Sequence, residues 1–151
     1  MKILVGTDGS DDAVAAAAQA LGVLAAPDSV IVMSVVQTPA VATSGMESGF
    51  AGGMASPETV NAAWVNATEE ADEAIDRTVA GFPDGTPVER RVETGEPGLT
   101  LVRVGQEAGA DVIVVGSRGR GAIKRALLGS VSTYVANNAG RPVLVIGDAG
   151  E

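Results

Sequence analysis

The sequence predicts a single Rossmann-like α/β domain over residues 1–151, in which a mainly parallel sheet carries helices on both faces. Short continuous runs of β-branched and aliphatic residues alternate with helix-forming stretches, and strands without polar alternation are those buried on both faces. Right-handed crossovers place the intervening helices on either side of such a sheet. With 151 residues, of which 46% are hydrophobic, the chain can close one core without disulfides or a metal.

The first strand and the first helix are bounded by polar turn residues. Lys2–Gly6 is a short apolar run that predicts a strand buried on both faces. Ser10 is the predicted N-cap of an Ala-rich helix, because Asp11 and Asp12 then lie in the first turn, where acids suit the helix dipole. We expect this helix to end near Ala25.

The second strand is followed by a long gap in the pattern. Residues 30–36 are again continuously apolar and predict a buried strand. Residues 37–57 are rich in Gly, Ala, Ser and Pro without a usable period, so we expect a flexible loop. A helix is predicted to start at Ser56 and to end before Gly81. Its apolar residues recur at three-to-four spacing, so we expect Trp64, which lies on that stripe, to be a core residue.

The second half of the chain repeats the strand and helix order. Residues 87–93 alternate apolar and charged side chains, which predicts a strand near a sheet edge. Helices are predicted over residues 99–108 and 131–138, and continuous apolar strands over residues 111–116 and 142–146. The alternation therefore supplies five strands in all.

The composition limits the chemistry that the protein can perform. The chain has no Cys and no His, which removes disulfides, thiol nucleophiles, thiolate zinc sites and the usual general base at neutral pH. The net charge of -9 disfavours nucleic acid and anionic membranes as partners. The longest apolar run, residues 13–26, is broken by Gln19 and Gly22, so neither a signal peptide nor a membrane span is predicted. We expect a cytoplasmic protein that holds any anion locally.

The segment after the fourth strand is the most informative part of the sequence. Four glycines lie within fourteen residues there: Gly116, Gly119, Gly121 and Gly129. Glycine lets the backbone approach phosphate oxygens, and the N-terminus of a helix offers N–H donors with partial positive charge. We expect Ser130 to cap the following helix and to bind the anion at once. Two alternatives stay open, namely that the glycines serve only chain reversal and packing, and that the cations between residues 118 and 125 form a solvated basic face.

The better-known phosphate-binding motifs are missing. The sequence contains no G-x-x-x-x-G-K-[ST] motif, and Gly119 and Gly121 lack the third glycine that a dinucleotide fingerprint would need at Lys124. A P-loop enzyme and a dinucleotide dehydrogenase are therefore disfavoured.

A different spacing is present, G-x2-G-x9-G-[ST], formed by Gly116, Gly119, Gly129 and Ser130. It resembles the ATP-binding branch of the universal stress protein family. The likeness covers essentially the whole chain outside the 37–56 loop, with ILVGTDGS, VIVVGSRGRG and LLGSVSTYVANNAGRPVLVI as its clearest stretches. The resemblance implies an adenine nucleotide alpha hydrolase-like sheet in the order 3-2-1-4-5. Ligands bind where the strand order reverses, outside the carboxyl ends of the strands.

The resemblance also implies which residues bind the nucleotide, which would be ATP, ADP or AMP. They are Gly6, Thr7, Asp8, Val35, Gly116, Arg118, Gly119, Gly129, Ser130, Val131 and Ser132. Asp8 would lie near the ribose or near Mg²⁺ or Mn²⁺ bound to the phosphates, and Val35 would contact the adenine through its backbone. Residues 129–132 would cradle the phosphates. Alternatively, Asp8 could only cap the first helix.

Three functions remain open at this point. The first is an ATP-binding regulatory module in the stress response, which the complete glycine pattern favours. The second is a slow ATP hydrolase or nucleotide-transferring enzyme, for which Asp8 is the only evident carboxylate. The third is a nucleotide-free protein that interacts through its 37–56 loop. The resemblance further implies a homodimer joined through the C-terminal strand at residues 142–147, which would cover an apolar sheet edge.

Overall fold

The computed structural model describes residues 1–40, 55–119 and 128–147. Its strands are β1 (Lys2–Gly6), β2 (Ser29–Val36), β3 (Val88–Thr94), β4 (Val112–Gly116) and β5 (Val143–Ile146). Its helices are α1 (Asp11–Val23), α2 (Pro57–Val79), α3 (Pro97–Glu107) and α4 (Ser130–Asn138). Most of the predicted 37–57 loop lies outside the described residues. The same is true of four residues of the predicted glycine-rich and basic segment: Arg120, Gly121, Lys124 and Arg125. Within the described ranges, no helix has both the length and the apolar content that crossing a bilayer requires.

The five strands form one sheet in the order β3-β2-β1-β4-β5, and every neighbouring pair is parallel. This confirms the predicted fold class and strand order, including the position of β3 at an edge. Because β1 lies between β2 and β4, the direction in which the chain winds reverses between β1 and β4. The carboxyl ends of these two strands therefore lie side by side.

Each face of the sheet has its own apolar core. On one face, side chains such as Leu4 and Met33 pack against α3 and α4. On the other face, side chains such as Val5 and Val32 pack against α1 and α2. Ile3, Leu4 and Val5 are at most 1% exposed, which confirms that β1 is buried on both faces.

Helix α2 begins as predicted but enters the core only in its second half. Ser56 is the N-cap, and its hydroxyl accepts a hydrogen bond from the Thr59 N–H at 3.2 Å. The buried residues of α2 lie in the C-terminal part: Ala71, Ala74, Ile75 and Thr78. Trp64 is half-buried and joins neither core of the described residues, which corrects the prediction that it is a core residue. The periodic stripe identified the buried side of the helix but not how far along the helix the burial extends.

The edge strand β3 carries charged side chains that pair with each other and with α3. Arg91 Nε lies 2.6 Å from Glu93 Oε1, and Arg103 of α3 lies 2.9 Å from the other oxygen of that carboxylate. The hydrogen bond from Arg91, followed by that from Arg103, holds the pKa of Glu93 below its ordinary value. Charges on an edge strand discourage pairing with further strands.

Candidate functional site

A cavity of about 550 Å³ opens at the carboxyl ends of the strands, beside the reversal between β1 and β4. This volume lies within the usual range for small-molecule sites. All eleven residues that the family resemblance indicated line the cavity: Gly6, Thr7, Asp8, Val35, Gly116, Arg118, Gly119, Gly129, Ser130, Val131 and Ser132. The fold thus brings together residues 6–8, Val35, residues 116–119 and residues 129–132.

Asp8 and Gly119 lie next to each other in the lining of this cavity. Asp8 Oδ1 accepts hydrogen bonds from the Ser10 N–H at 2.9 Å and from the Ser10 hydroxyl at 2.6 Å. A Cβ atom at position 119 would lie only 2.8 Å from Asp8 Oδ2. Ser10 also accepts from the Ala13 N–H at 3.2 Å, which confirms it as the N-cap of α1. The carboxylate is therefore held in one orientation, and glycine at 119 makes room for it.

Thr7 lines the cavity, but its hydroxyl is used inside the protein. The Gly9 N–H donates to Thr7 Oγ1 at 3.1 Å, and Thr7 Oγ1 lies 2.7 Å from Thr78 Oγ1. Thr78 in turn donates to the Ala74 carbonyl at 2.8 Å. Because Thr78 gives its proton to Ala74, Thr7 is the donor to Thr78. The proton of the Thr7 hydroxyl is therefore committed to α2, away from the cavity.

The main chain of Val35 points into the cavity. Beyond the end of β1, the Thr7 N–H still donates to the Met33 carbonyl of β2 at 2.9 Å. The Val36 carbonyl accepts from the Gly95 N–H on the opposite side, next to β3, at 3.0 Å. Successive residues of a strand within a parallel sheet address opposite neighbours, so Val35 faces the side where β1 has already ended. Its N–H and C=O form an adjacent donor and acceptor at the cavity wall.

The wall next to Val35 is apolar. Met33 of β2, together with Pro97 and Leu101 of α3, lines the cavity there. Gly6 contacts this wall closely, since a Cβ atom at that position would lie 2.8 Å from both terminal carbons of Leu101. A flat apolar group bound against this wall would lie beside the donor and acceptor of Val35.

The start of α4 forms the opposite, polar part of the cavity. Gly129 is the N-cap, with an extended backbone at φ -75° and ψ 170°, and no side chain caps the helix. This corrects the expectation for Ser130, which is the first helical residue rather than the cap. The first hydrogen bond of the helix runs from the Thr133 N–H to the Gly129 carbonyl at 3.0 Å. The N–H groups of residues 130–132 therefore have no partner within the helix and present partial positive charge to an anion.

The cavity is also lined by twelve residues that the sequence did not indicate. They are Ala13, Met33, Ser34, Val36, Gln37, Ala67, Glu70, Ala71, Ala74, Pro97, Leu101 and Val115. Those of β2 and β4 flank Val35 and Gly116, so the strand pattern could have suggested them. Those of α2, including a second carboxylate at Glu70, reach the site through helix packing that no local signal reveals.

Comparisons with known proteins agree with this geometry. The model of the universal stress protein family matches residues 1–147. A universal stress protein of Mycolicibacterium smegmatis is 37% identical over 86 residues, which cover 55% of this chain and 29% of that protein. Universal stress protein MJ0577 of Methanocaldococcus jannaschii is 34% identical over 80 residues, which cover 52% of this chain and 49% of that protein. The matched stretch of this chain therefore covers less than half of the length of each of these curated relatives.

Solved structures extend the likeness over the whole fold. The structure of MJ0577 superimposes with a TM-score of 0.79 at 26% identity and covers 99% of this chain and 97% of its own. A universal stress protein in complex with cAMP has a TM-score of 0.63 at 28% identity, with 97% and 96% covered.

The hydroxyl chain from Gly9 to Ala74 predicts a specific stability effect. Replacing Thr78→Val leaves the buried Thr7 hydroxyl without an acceptor, so we expect a loss of about 1–3 kcal/mol of unfolding free energy in urea titrations. Thr68→Val is the matched control, because Thr68 Oγ1 on the same helix donates to the Trp64 carbonyl at an exposed position. The control is expected to stay within about 0.5 kcal/mol of the parent. Equal losses in both variants would contradict the role given to Thr78.

Proposed function

The chain belongs to the universal stress protein family, and we propose that it binds an adenine nucleotide (ATP, ADP or AMP) in the cavity between β1 and β4 as a regulatory module in the stress response. One observation carries the proposal: a main-chain donor and acceptor on an apolar wall lie in the same cavity as the uncapped N-terminus of α4. Such a site matches a molecule with a flat base at one end and an anion at the other.

The adenine base fits the Val35 wall. Adenine presents an amino donor next to a ring-nitrogen acceptor, which complements the C=O and N–H of Val35. Its faces would lie against the apolar side chains of Met33 and Leu101. The related protein solved in complex with cAMP, 28% identical to this chain, supports an adenine nucleotide as the ligand class.

The phosphates fit the part of the cavity that Gly116, Gly119 and the start of α4 line. Gly116 and Gly119 line the cavity near β4, and the N–H groups of residues 130–132 would supply donors to the phosphate oxygens. Asp8 would repel bare phosphates, so Mg²⁺ or Mn²⁺ bound to the nucleotide would sit between them. Among the described residues no group of three metal-ligating side chains exists. The phosphates and water would then supply most of the metal ligands, as is usual for Mg²⁺.

Side chains at the glycine positions are expected to block the nucleotide. Gly119→Val places a branched side chain against Asp8, and Gly129→Val adds one at the N-cap of α4, beside the Ser117 carbonyl oxygen and the Ser132 hydroxyl. We expect each variant to weaken ATP binding at least about tenfold in titration calorimetry with Mg²⁺. Gly22→Val is the matched control, since a Cβ atom there meets nothing within 4 Å.

The same protein also allows the bound species to be identified. Mass spectrometry of what leaves the purified parent on denaturation would show whether ATP, ADP or AMP is held at about one per chain. Unchanged ATP affinity in both glycine variants would refute the site. A parent protein that binds no adenine nucleotide at all would favour the nucleotide-free interaction protein.

Slow ATP hydrolysis is a second candidate function, and the presence of Glu70 in the same cavity as Asp8 favours it. Hydrolysis needs a group that orients the attacking water and a metal ligand near the phosphates. However, Asp8 Oδ1 is already held by Ser10, and Glu70 is exposed to solvent. Binding without appreciable turnover is therefore the stronger proposal.

Phosphate release in the presence of Mg²⁺ or Mn²⁺ separates these two functions. We expect turnover below about one per minute, with no further decrease in Asp8→Ala or Glu70→Gln. Faster release that Asp8→Ala abolishes would instead identify the protein as an enzyme.

A homodimer through β5 is the assembly that we propose. The Ile113 N–H donates to the Pro142 carbonyl and the Ser117 N–H to the Ile146 carbonyl, so residues 142, 144 and 146 face β4. Val143 and Val145 accordingly direct their N–H and C=O groups outward, away from β4. Because β5 is the last strand of the sheet, these groups form an edge that a second copy of the chain could pair with.

A proline at the outward position tests this assembly. Val145→Pro removes the outward N–H while sparing the bonds to β4, because proline is tolerated where the N–H of an edge strand faces outward. We expect the parent and Val145→Ala to run as dimers in size-exclusion chromatography with light scattering at micromolar concentration, and Val145→Pro to run as a monomer. A monomeric parent would refute the dimer.

A further inference from the structure

The carbonyl oxygen of Ser117, the residue that directly follows β4, links the end of this strand to the start of α4. It accepts a hydrogen bond from the Gly129 N–H at 2.6 Å and another from the Ser132 hydroxyl at 3.0 Å. On its other side, the Ser117 N–H donates to the Ile146 carbonyl of β5 at 2.7 Å. Ser117 is 8% exposed and Ser132 only 2%, so water does not compete for these bonds.

The Ser132 hydroxyl is fully engaged by the main chain. Its oxygen lies 3.0 Å from the Ser117 carbonyl and also 3.0 Å from the Gly129 carbonyl. A serine hydroxyl has one proton, which these two carbonyls share. It therefore has no proton left to donate to a ligand oxygen, although the residue lines the cavity.

The Gly129 N–H is committed in the same way, since it donates to Ser117. The main-chain donors that the first turn of α4 offers to an anion are the N–H groups of residues 130–132, and their direction depends on how this turn is held. The contacts of Ser132 with Ser117 and Gly129, called here the Ser132 clasp, tie that turn to the end of β4.

We propose that Ser132 is a positioning residue that acts through this clasp, and that its hydroxyl does not bind the phosphates directly. The proposal rests on the proposed nucleotide site. Gly116 at the end of β4 and the N–H groups of α4 must keep a fixed separation to hold one phosphate chain. The affinity of a binding site falls when its binding groups shift by about 1 Å. A clasp that fixes Gly116 relative to the N–H groups of α4 therefore raises the affinity without touching the ligand.

The test compares three variants of the full chain: Ser132→Ala, which removes the clasp hydroxyl; Ser132→Thr, which keeps a hydroxyl; and Thr133→Ala, which removes an exposed hydroxyl from the same turn. Two quantities are measured, the exchange rate of the Gly129 amide by NMR without nucleotide, and the affinity for ATP with Mg²⁺ by calorimetry. Ser132→Ala is expected to speed the exchange at Gly129 about fivefold or more and to weaken ATP binding by about tenfold. Ser132→Thr should restore both quantities, and Thr133→Ala should change neither.

The outcomes separate this proposal from the proposed function. Unchanged Gly129 exchange in Ser132→Ala would overturn the clasp, whatever the affinity. Faster exchange with unchanged ATP affinity, while Gly119→Val loses binding, would show that the clasp is structural only and overturn the positioning role. Weaker binding in Ser132→Ala with unchanged exchange would make the hydroxyl a direct ligand. A parent protein that binds no ATP would overturn the nucleotide site itself, and the positioning role with it.

Discussion

The side-by-side position of β1 and β4 is the constraint on which the rest of the site depends. After β1 the chain passes to α1 on one face of the sheet, and after the glycine segment it enters α4 on the other face. Because α1 and α4 lie on opposite faces of the sheet, a crevice remains between the carboxyl ends of β1 and β4. Burial of Ile3, Leu4 and Val5 in β1 fixes this strand in the sheet, and Asp8, which follows it, lies next to Gly119.

Several polar side chains around the crevice form hydrogen bonds within the protein. Thr7 donates to Thr78, Ser10 donates to Asp8, and Ser132 donates to Ser117 and Gly129. Main-chain groups also line the cavity, namely those of Val35 and of the first turn of α4. Recognition by main-chain groups depends on backbone geometry, which explains why glycines and strand ends, rather than one reactive side chain, characterise the site.

Much of the fold and of the candidate site could be predicted from the sequence, because strands, helix starts and glycine spacings are local patterns. Continuous apolar runs predicted four strands and an alternating pattern predicted β3, and the glycine spacing led to a family resemblance whose eleven residues all line one cavity. The predictions that were wrong or missing depend on how the helices pack and begin. Trp64 lies on the apolar stripe of α2 but beyond the part that the sheet covers, and Ser130 follows the cap because the extended backbone of Gly129 already occupies that position. Glu70 reaches the cavity only because α2 crosses it, which periodicity cannot reveal.

The hydrogen bond from the Ser117 N–H to Ile146 has a consequence for how affinities of this protein combine. The N–H of Ser117 binds strand β5, and the carbonyl of Ser117 holds the start of α4, so the sheet edge and the proposed anion site share this one residue. Thermodynamic linkage is reciprocal: if association of two subunits through β5 tightens ligand binding by some factor, the ligand tightens association by the same factor. A single dissociation constant would then not describe the molecule, and its value would vary with the protein concentration.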